Sequence, residues 1–583
     1  MKSHGLFSSL TRKLSYLSVI AATTLLMACN SNEQESDNFN ADPEISSGDS
    51  PSQNTIADFP TDIGAAQFLN QATFGARSVD IQELTEIGFS EWIRQEFNKP
   101  LSEFIPIVLA RGAAEGDFNR RMASDAVWEA MVEGDDQLRL RTVFALSQIL
   151  VVSDSNSALS NKPRSIAFYA DVLSRNAFGN YRTLLEDVTY TPAMAEYLTY
   201  YRNRKGDPTS GRVPDENYAR ELLQLFTIGL VELGRDGLPL VNAAETYGTQ
   251  DVEGLSRVFT GLSHKGDTFF GGRADDWEYS PIEIYADFHS TLPKSFLGLT
   301  IPAGTPGSDS IELALDHIFA HPNVGPFIAR QLIQRFVTSN PTGPFVERVV
   351  TAFETGQQQL PDGTFIGSGN RGDLRATISA ILLDPEARQD PSAASNTFGK
   401  VREPVLRFTQ WARAFNVQSA RAQDVSFLKD AVRTDRLAQQ PFRSPSVFNF
   451  YRPGYVAPGS LSGDAGLVAP ELQITNETTV IGYINTMSRF VRDQMGRVSG
   501  ADGTAFNPVY TDELKLAEDP DALVDHLDRL LTYGRMSSET RTRIIRAINE
   551  IPIREDKEDE DIEDRVHLAV LMAVTSPAYI VQQ

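Results

Sequence analysis

Apolar residues recur at the three- and four-residue spacing of helices over most of this chain. Behind Asp135 and Asp136, the residues Leu138, Leu140, Val143, Phe144, Leu146, Ile149 and Leu150 leave almost no polar face, which predicts a buried helix. Phe327, Ile328, Leu332, Ile333, Phe336 and Val337 follow Asn323, whose side chain suits a helix cap. Ser90 holds the same position ahead of Trp92, Ile93 and Phe97. Pro214, Asp215 and Glu216 put a proline and two acids into the first turn of a helix over 214–230, where both are favoured. Only 268–301 reads differently: Phe269, Phe270, Tyr279, Ile282, Ile284 and Tyr285 suit short strands. The pattern predicts one compact, mainly α body of many helices over 63–583, with a small β insertion at 268–301. The acidic run 555–564 reads as a solvated loop before the last helix.

The first 28 residues follow another logic. Lys2, Arg12 and Lys13 stand there without an acid, and 14–26 is apolar but too short to span a bilayer comfortably. Leu26-Met27-Ala28-Cys29 resembles the lipobox of bacterial lipoproteins, and Cys29 is the only cysteine. The expectation is a signal peptide over 1–28, removal before Cys29, and attachment to a membrane through lipid on that cysteine. Asn30 follows, not Asp, and by resemblance to the Gram-negative sorting rule this points to the outer membrane. Residues 30–62 hold eight acids and no Lys or Arg, so 29–62 reads as a disordered spacer behind the lipid. The whole chain carries a formal charge of −24. That argues against nucleic acid as a partner and against docking on anionic lipid heads.

Beyond periodicity, seven runs stand out in order. They are Gln67-Phe68-Leu69-Asn70-Gln71-Ala72-Thr73-Phe74-Gly75, Asp136-Gln137-Leu138-Arg139, Ala177-Phe178-Gly179-Asn180-Tyr181 and Pro214-Asp215-Glu216-Asn217-Tyr218-Ala219-Arg220-Glu221. His321-Pro322-Asn323-Val324, Ser444-Pro445-Ser446-Val447-Phe448-Asn449-Phe450-Tyr451 and Thr575-Ser576-Pro577-Ala578-Tyr579 complete them. Together they resemble a large bacterial family known as a domain of unknown function, DUF1800, across essentially all of 63–583. The resemblance implies a single mainly helical body and no established activity. Family members often appear beside a second secreted family with a phosphatase- or sulfatase-like fold, which implies a partner of that kind. They also often have Trp after Phe-Thr-Gly, where this chain has Leu262.

Candidate chemistry centres on the 214–230 segment. The chain has no Walker-type phosphate loop, no His-Glu-x-x-His helix and no Gly-x-Ser-x-Gly elbow. Asn217, Arg220, Glu221 and Gln224 fall at i, i+3, i+4 and i+7, one stripe on an otherwise apolar helix. Such a stripe is either a solvent face with a weak Arg–Glu pair or the lining of a cleft. In a cleft, Arg220 and Glu221 are the catalytic candidates, an anion clamp and a base, with Asn217, Gln224, Asp251 and Lys294 as binding residues. Tyr247, Gln250 and Asp251 open the next helix, which carries Arg257. His289 with Glu221 and Asp251 makes a nitrogen-plus-carboxylate set suited to a divalent metal, although a surface-loop histidine is the reading the sequence favours. His317 and His321 sit four apart, but Pro322 ends their helix, so a contact with its C-terminal dipole is the better reading. The aromatic and arginine-rich stretch 442–455 reads as a loop pinned across the core.

Two functions follow as expectations. The first is an envelope lipoprotein that acts as a scaffold or assembly factor for a secreted partner. The second is a periplasmic or surface metal-assisted hydrolase working at the 217–224 stripe.

Overall fold

The helix Gln137–Ser147 shows how this sequence builds its interior. Its residues from Gln137 to Leu146 are all buried, as the unbroken apolar pattern requires. It packs against Ser78–Asn98, Met122–Glu133, Pro163–Asn176 and Val324–Phe336, so it has a helix on nearly every side. In this computed structural model the described residues are 56–390, 395, 397–419, 430–492 and 506–583. Cys29, the signal peptide and spacer residues 30–55 lie outside them.

One hydrophobic core runs from Ala65 in the first described helix to Tyr579 near the C-terminus. The C-terminal helices Pro520–Thr532, Ser538–Asn549 and Glu558–Val574 pack on one another, and Glu558–Val574 also packs on Glu477–Val491. The strand Val581–Gln582 pairs antiparallel with Lys400–Val401, which draws the chain's end into the middle of the body. Gln67 from the opening motif reaches the same place, donating from Nε2 to the Gln583 carbonyl at 3.4 Å. The architecture is mainly α. Every sheet among the described residues is a pair of short antiparallel strands.

The expected β insertion is present and starts slightly earlier. Leu262–Ser263 pairs with Glu283–Ile284, Gly266–Thr268 with Gly271–Arg273, and Lys294–Phe296 with Leu299–Ile301. Leu262, at the position of the family's tryptophan, is fully buried. The last hairpin lies against the helix Thr249–Ser256. Gly254 allows that approach, because a Cβ there would sit 1.7 Å from the Ser295 carbonyl oxygen.

Several local expectations change in the fold. The body begins before Ile63: Ile56 packs on the core, and Asp58 receives the backbone N–H groups of Phe89 and Ser90. Asp58 therefore does the capping expected of Ser90, just after Gly88 at φ 82° breaks that helix. Pro214 and Asp215 precede their helix instead of opening it, and the α turn spans only Asn217–Glu221. Asp215 Oδ1 accepts from the Asn217 N–H at 2.9 Å, so the acid closes a turn there. Asn323 flanks Val324–Phe336 without a side-chain cap bond. The acidic run is not a loop: Glu558, Asp559, Glu560 and Asp561 form the first turn of the last long helix, where its dipole favours acids. Arg554 holds Asp561 through its backbone N–H and the Nε–Nη2 edge of its guanidinium, keeping that carboxyl down at about 2. No helix of the described residues is long and apolar enough to cross a membrane.

Candidate functional site

The helix carrying the expected stripe changes type midway. After Asn217–Glu221 it widens into a π turn, Leu222–Thr227, in which the Ile228 N–H donates to the Leu223 carbonyl five residues back. Such turns recur where a helix must re-aim side chains. Here the widening moves Gln224 off the α phase, while Asn217, Arg220 and Glu221 lie in the α turn before it. Arg220 points to solvent, with its side chain 44% exposed, and pairs with Glu216 at 3.2 Å. Glu221 turns inward and is buried. Asn217 is half-buried and reaches Thr199 at 3.4 Å, and Gln224 accepts from the Tyr247 hydroxyl at 3.4 Å. Arg220 and Glu221 thus face different surroundings, so the predicted clamp-and-base pair is not assembled.

Glu221 itself is unusual. Its Oε2 is buried and has no hydrogen-bond partner. Burial raises its pKa, and the Arg220 charge opposes that only in part. Its charge adds to the burial that already lifts the Tyr197 and Tyr247 hydroxyls, so both tyrosines lie in its field. A carboxyl whose pKa burial raises, in the field of two phenols, can donate or take a proton.

The other predicted residues gather elsewhere. Asp251 is fully engaged in folding: Oδ2 accepts from the Gly248 N–H at 2.8 Å and Oδ1 from the Leu297 N–H at 2.7 Å. It caps one helix and clasps the 294–301 hairpin to it. His289 is not a surface-loop histidine. It is 4% exposed, with Nδ1 on the Thr260 carbonyl at 2.8 Å and Nε2 buried without a partner. Burial, and the charges of Lys294 and Lys205, push its pKa down. Lys294 is wholly buried, and its Nζ has no partner either. Burial, then the nearby Arg257, lowers its pKa. Arg257 donates to the Pro293 carbonyl at 3.0 Å, so Arg257, His289 and Lys294 share one corner beside the Thr249–Ser256 helix. Gln250 is exposed.

No group of three His, Cys, Asp or Glu side chains suited to a metal occurs among the described residues. Glu221, Asp251 and His289 therefore do not form the divalent-metal set, and both Asp251 oxygens are consumed by backbone donors. His317 stands in the last turn of the helix Gly307–Phe319, the C-terminal position expected of it, and its Nε2 donates to the Leu297 carbonyl at 2.8 Å; His321 lies beyond that helix, and its Nδ1 accepts from the Asn323 N–H.

A second polar group was missed by the sequence reading. Glu403 is fully buried, and its Oε2 accepts from Gln148 at 2.6 Å, from the Tyr451 hydroxyl at 2.7 Å and from Gln439. Lys400 pairs with Glu471 at 3.1 Å and donates to the Arg335 carbonyl at 3.1 Å. Arg335 in turn donates to the carbonyls of Gln331 and Gln148, while Arg141 donates to that of Arg335. Tyr451 ends the Ser444–Tyr451 run, which explains the aromatic loop: Phe442 and Tyr451 are buried and pin it, while Phe448 stays on the surface. The signal for this group was present in Arg139 and Arg141, two bases inside an otherwise apolar helix, and in the run Lys400-Val401-Arg402-Glu403 ahead of Pro404.

These features define a class: a mainly α protein whose many charges are folded into its interior, with a small β insertion leaning on one short helix. Over residues 67–581 the chain matches the family described as Protein of unknown function (DUF1800), and it belongs to that family. No curated protein and no solved structure matches it.

Proposed function

We propose that this protein is a lipid-anchored envelope protein, carried on Cys29, that holds a secreted protein partner at the membrane. The observation that supports this reading is an apolar arm at 230–246, directly after the π turn. Its two sides are joined by backbone bonds: Glu232 N–H to the Ala244 carbonyl, Leu240 N–H to the Glu232 carbonyl and Thr246 N–H to the Leu230 carbonyl. Along it Leu230, Leu238, Leu240 and Val241 are exposed, Val241 by 93%. Four large apolar residues facing water on one arm are the mark of a surface that another protein covers. The arm is firmly rooted. Asn323 donates to the carbonyls of Ile228 and Val231 at 2.9 and 2.8 Å and accepts from the Leu233 N–H at 3.0 Å. A rigid apolar arm loses little conformational entropy on docking. The partner is a folded secreted protein with an apolar groove, and the phosphatase- or sulfatase-like kind is the one the family resemblance implies.

The test is affinity purification of the intact lipoprotein from detergent-solubilised envelope, beside the variant Leu238→Asp/Leu240→Asp/Val241→Asp. One secreted protein retained by the parent and lost from the folded variant is the expected result. Identical captured sets would overturn the reading. A Cys29→Ser variant should remain unprocessed and take no palmitate analogue.

A second reading rests on Glu221. Its unpartnered oxygen at the α-to-π junction suits a proton-transferring hydrolase in which Glu221, not a three-residue metal set, is the acid–base group. Loss of a hydrolytic activity in Glu221→Gln, with the fold intact, is its test.

A further inference from the structure

The β insertion carries a second surface that neither reading uses. Tyr201, Arg202 and Arg204 lie beside the hairpin 266–273, with Phe270 at its tip, Arg273 at its end and Trp277 just after it. Here the bases are held by rings instead of acids. Arg273 sits 4.2 Å from the Trp277 centroid and donates to the Tyr201 hydroxyl at 3.1 Å. Arg202 lies 4.9 Å from Tyr201 and 5.8 Å from Phe270, and donates to the carbonyls of Phe269 and Phe270. Arg204 lies 5.7 Å from Phe270. The nearby Asp276 is already taken by Lys265 at 2.9 Å and Ser280 at 2.5 Å. Arg204 makes no hydrogen bond among the described residues and Arg273 commits only one N–H group, so both keep N–H groups that can meet a carboxylate, whereas Arg202 spends its Nε and Nη2 on the Phe269 and Phe270 carbonyls.

The base beneath this surface is stiff. Phe269 stacks on Phe288 with centroids 4.0 Å apart and planes 10° from parallel, and Phe270 meets Phe288 edge-on. His264, almost wholly buried, is wedged between Tyr201 and Trp277 at 4.2 Å from each, and pairs with Glu196 at 2.9 Å. Its Nδ1 is buried with no partner. Glu196 also holds Lys162. Three guanidinium groups are thus fixed on one face of a chain whose formal charge is −24.

We propose that this face binds an anionic polysaccharide bearing carboxylates, with Arg204 and Arg273 receiving the carboxylates, Arg202 fixing the hairpin tip, and the exposed Phe270 ring meeting the sugar rings. Aromatic surface suits the C–H faces of sugars, and the separated guanidinium groups suit a polymer with about one charge per ring. Nucleic acid, with far denser charge, meets repulsion from the rest of this chain.

The test is isothermal titration of the full chain in detergent with oligogalacturonate, in parallel with neutral dextran, dextran sulfate and an oligothymidylate. The expected result is binding to oligogalacturonate, at least tenfold weaker in Arg204→Gln/Arg273→Gln, weakened by salt, and no binding to dextran. Arg204 makes no hydrogen bond among the described residues, so Arg204→Gln alone, expected to weaken binding severalfold, guards against misfolding of the double variant. Absent binding, or equal binding by parent and both variants, overturns the proposal. Equal or tighter binding of dextran sulfate or oligothymidylate overturns the assignment to carboxylated sugar.

Discussion

Glu403 and Lys294 are both wholly buried, and their surroundings treat them in opposite ways. Around Glu403 every charged side chain has at least one partner, although Glu403 Oε1, Glu471 Oε2 and some arginine N–H groups bond nothing: three donors converge on Glu403 Oε2, Lys400 meets Glu471, and Arg335 and Arg141 donate to backbone carbonyls. Around the Thr249–Ser256 helix, Lys294 Nζ, His289 Nε2 and Glu221 Oε2 are buried with nothing to bond. An unanswered buried polar atom costs about 1–3 kcal/mol, so folding alone does not select for it. The difference separates a polar group that organises the fold from one retained at the fold's expense.

The largest way to break this comparison is Glu403→Ala. It strands the Gln148, Gln439 and Tyr451 donors and removes the counter-charge to Arg141 and Arg335, so we expect a loss of about 3–5 kcal/mol in urea unfolding. A loss below 1 kcal/mol would dissolve the distinction. Next comes Asn323→Ala, which releases three bonds at the root of the apolar arm. We expect about 1–3 kcal/mol and new proteolytic cleavage within 230–246. Cleavage elsewhere would show that Asn323 does not hold the arm.

Glu221 gives a smaller, pH-dependent signal. Its folded pKa is raised above the unfolded value, so between the two the folded protein holds a proton that the unfolded chain has released. Stability therefore falls as pH rises through that window, with a slope of at most about 1.4 kcal/mol per pH unit. Glu221→Gln should flatten that part of the stability–pH curve and match or exceed the parent at neutral pH. A curve of unchanged slope would mean that Glu221 is not the group responsible.

Much of this was legible beforehand, for identifiable reasons. The mainly α class, the buried Gln137–Ser147 helix and the β insertion follow from periodicity, which burial enforces directly. The stripe failed because Arg220 and Glu221, neighbours in sequence, point about 100° apart on a helix, so one faces solvent and the other the interior, and because the π turn at Leu222–Thr227 moves Gln224 off the α phase without a Gly or Pro to announce it. His289, Lys294 and Glu221 were found by residue type, but the burial that leaves a polar atom of each without a partner was invisible, since long-range packing decides it. Asp251 was misread because a carboxylate that accepts backbone N–H groups looks, in sequence, like one that binds a ligand. Arg202, Arg204 and Arg273 escaped notice because their aromatic partners come from segments about 70 residues away in the chain, as Arg202 with Phe270 and Arg273 with Tyr201 show.

The central claim is that the polar atoms beside the Thr249–Ser256 helix are not there to hold the fold together. Urea unfolding of Lys294→Met tests it most directly, because methionine keeps the apolar stem and removes only the amine that bonds nothing. The account predicts a midpoint equal to or above that of the parent, a change of about 1 kcal/mol or less in the stabilising direction. A loss of about 3 kcal/mol or more, the size expected when a partnered buried charge is removed, would contradict it.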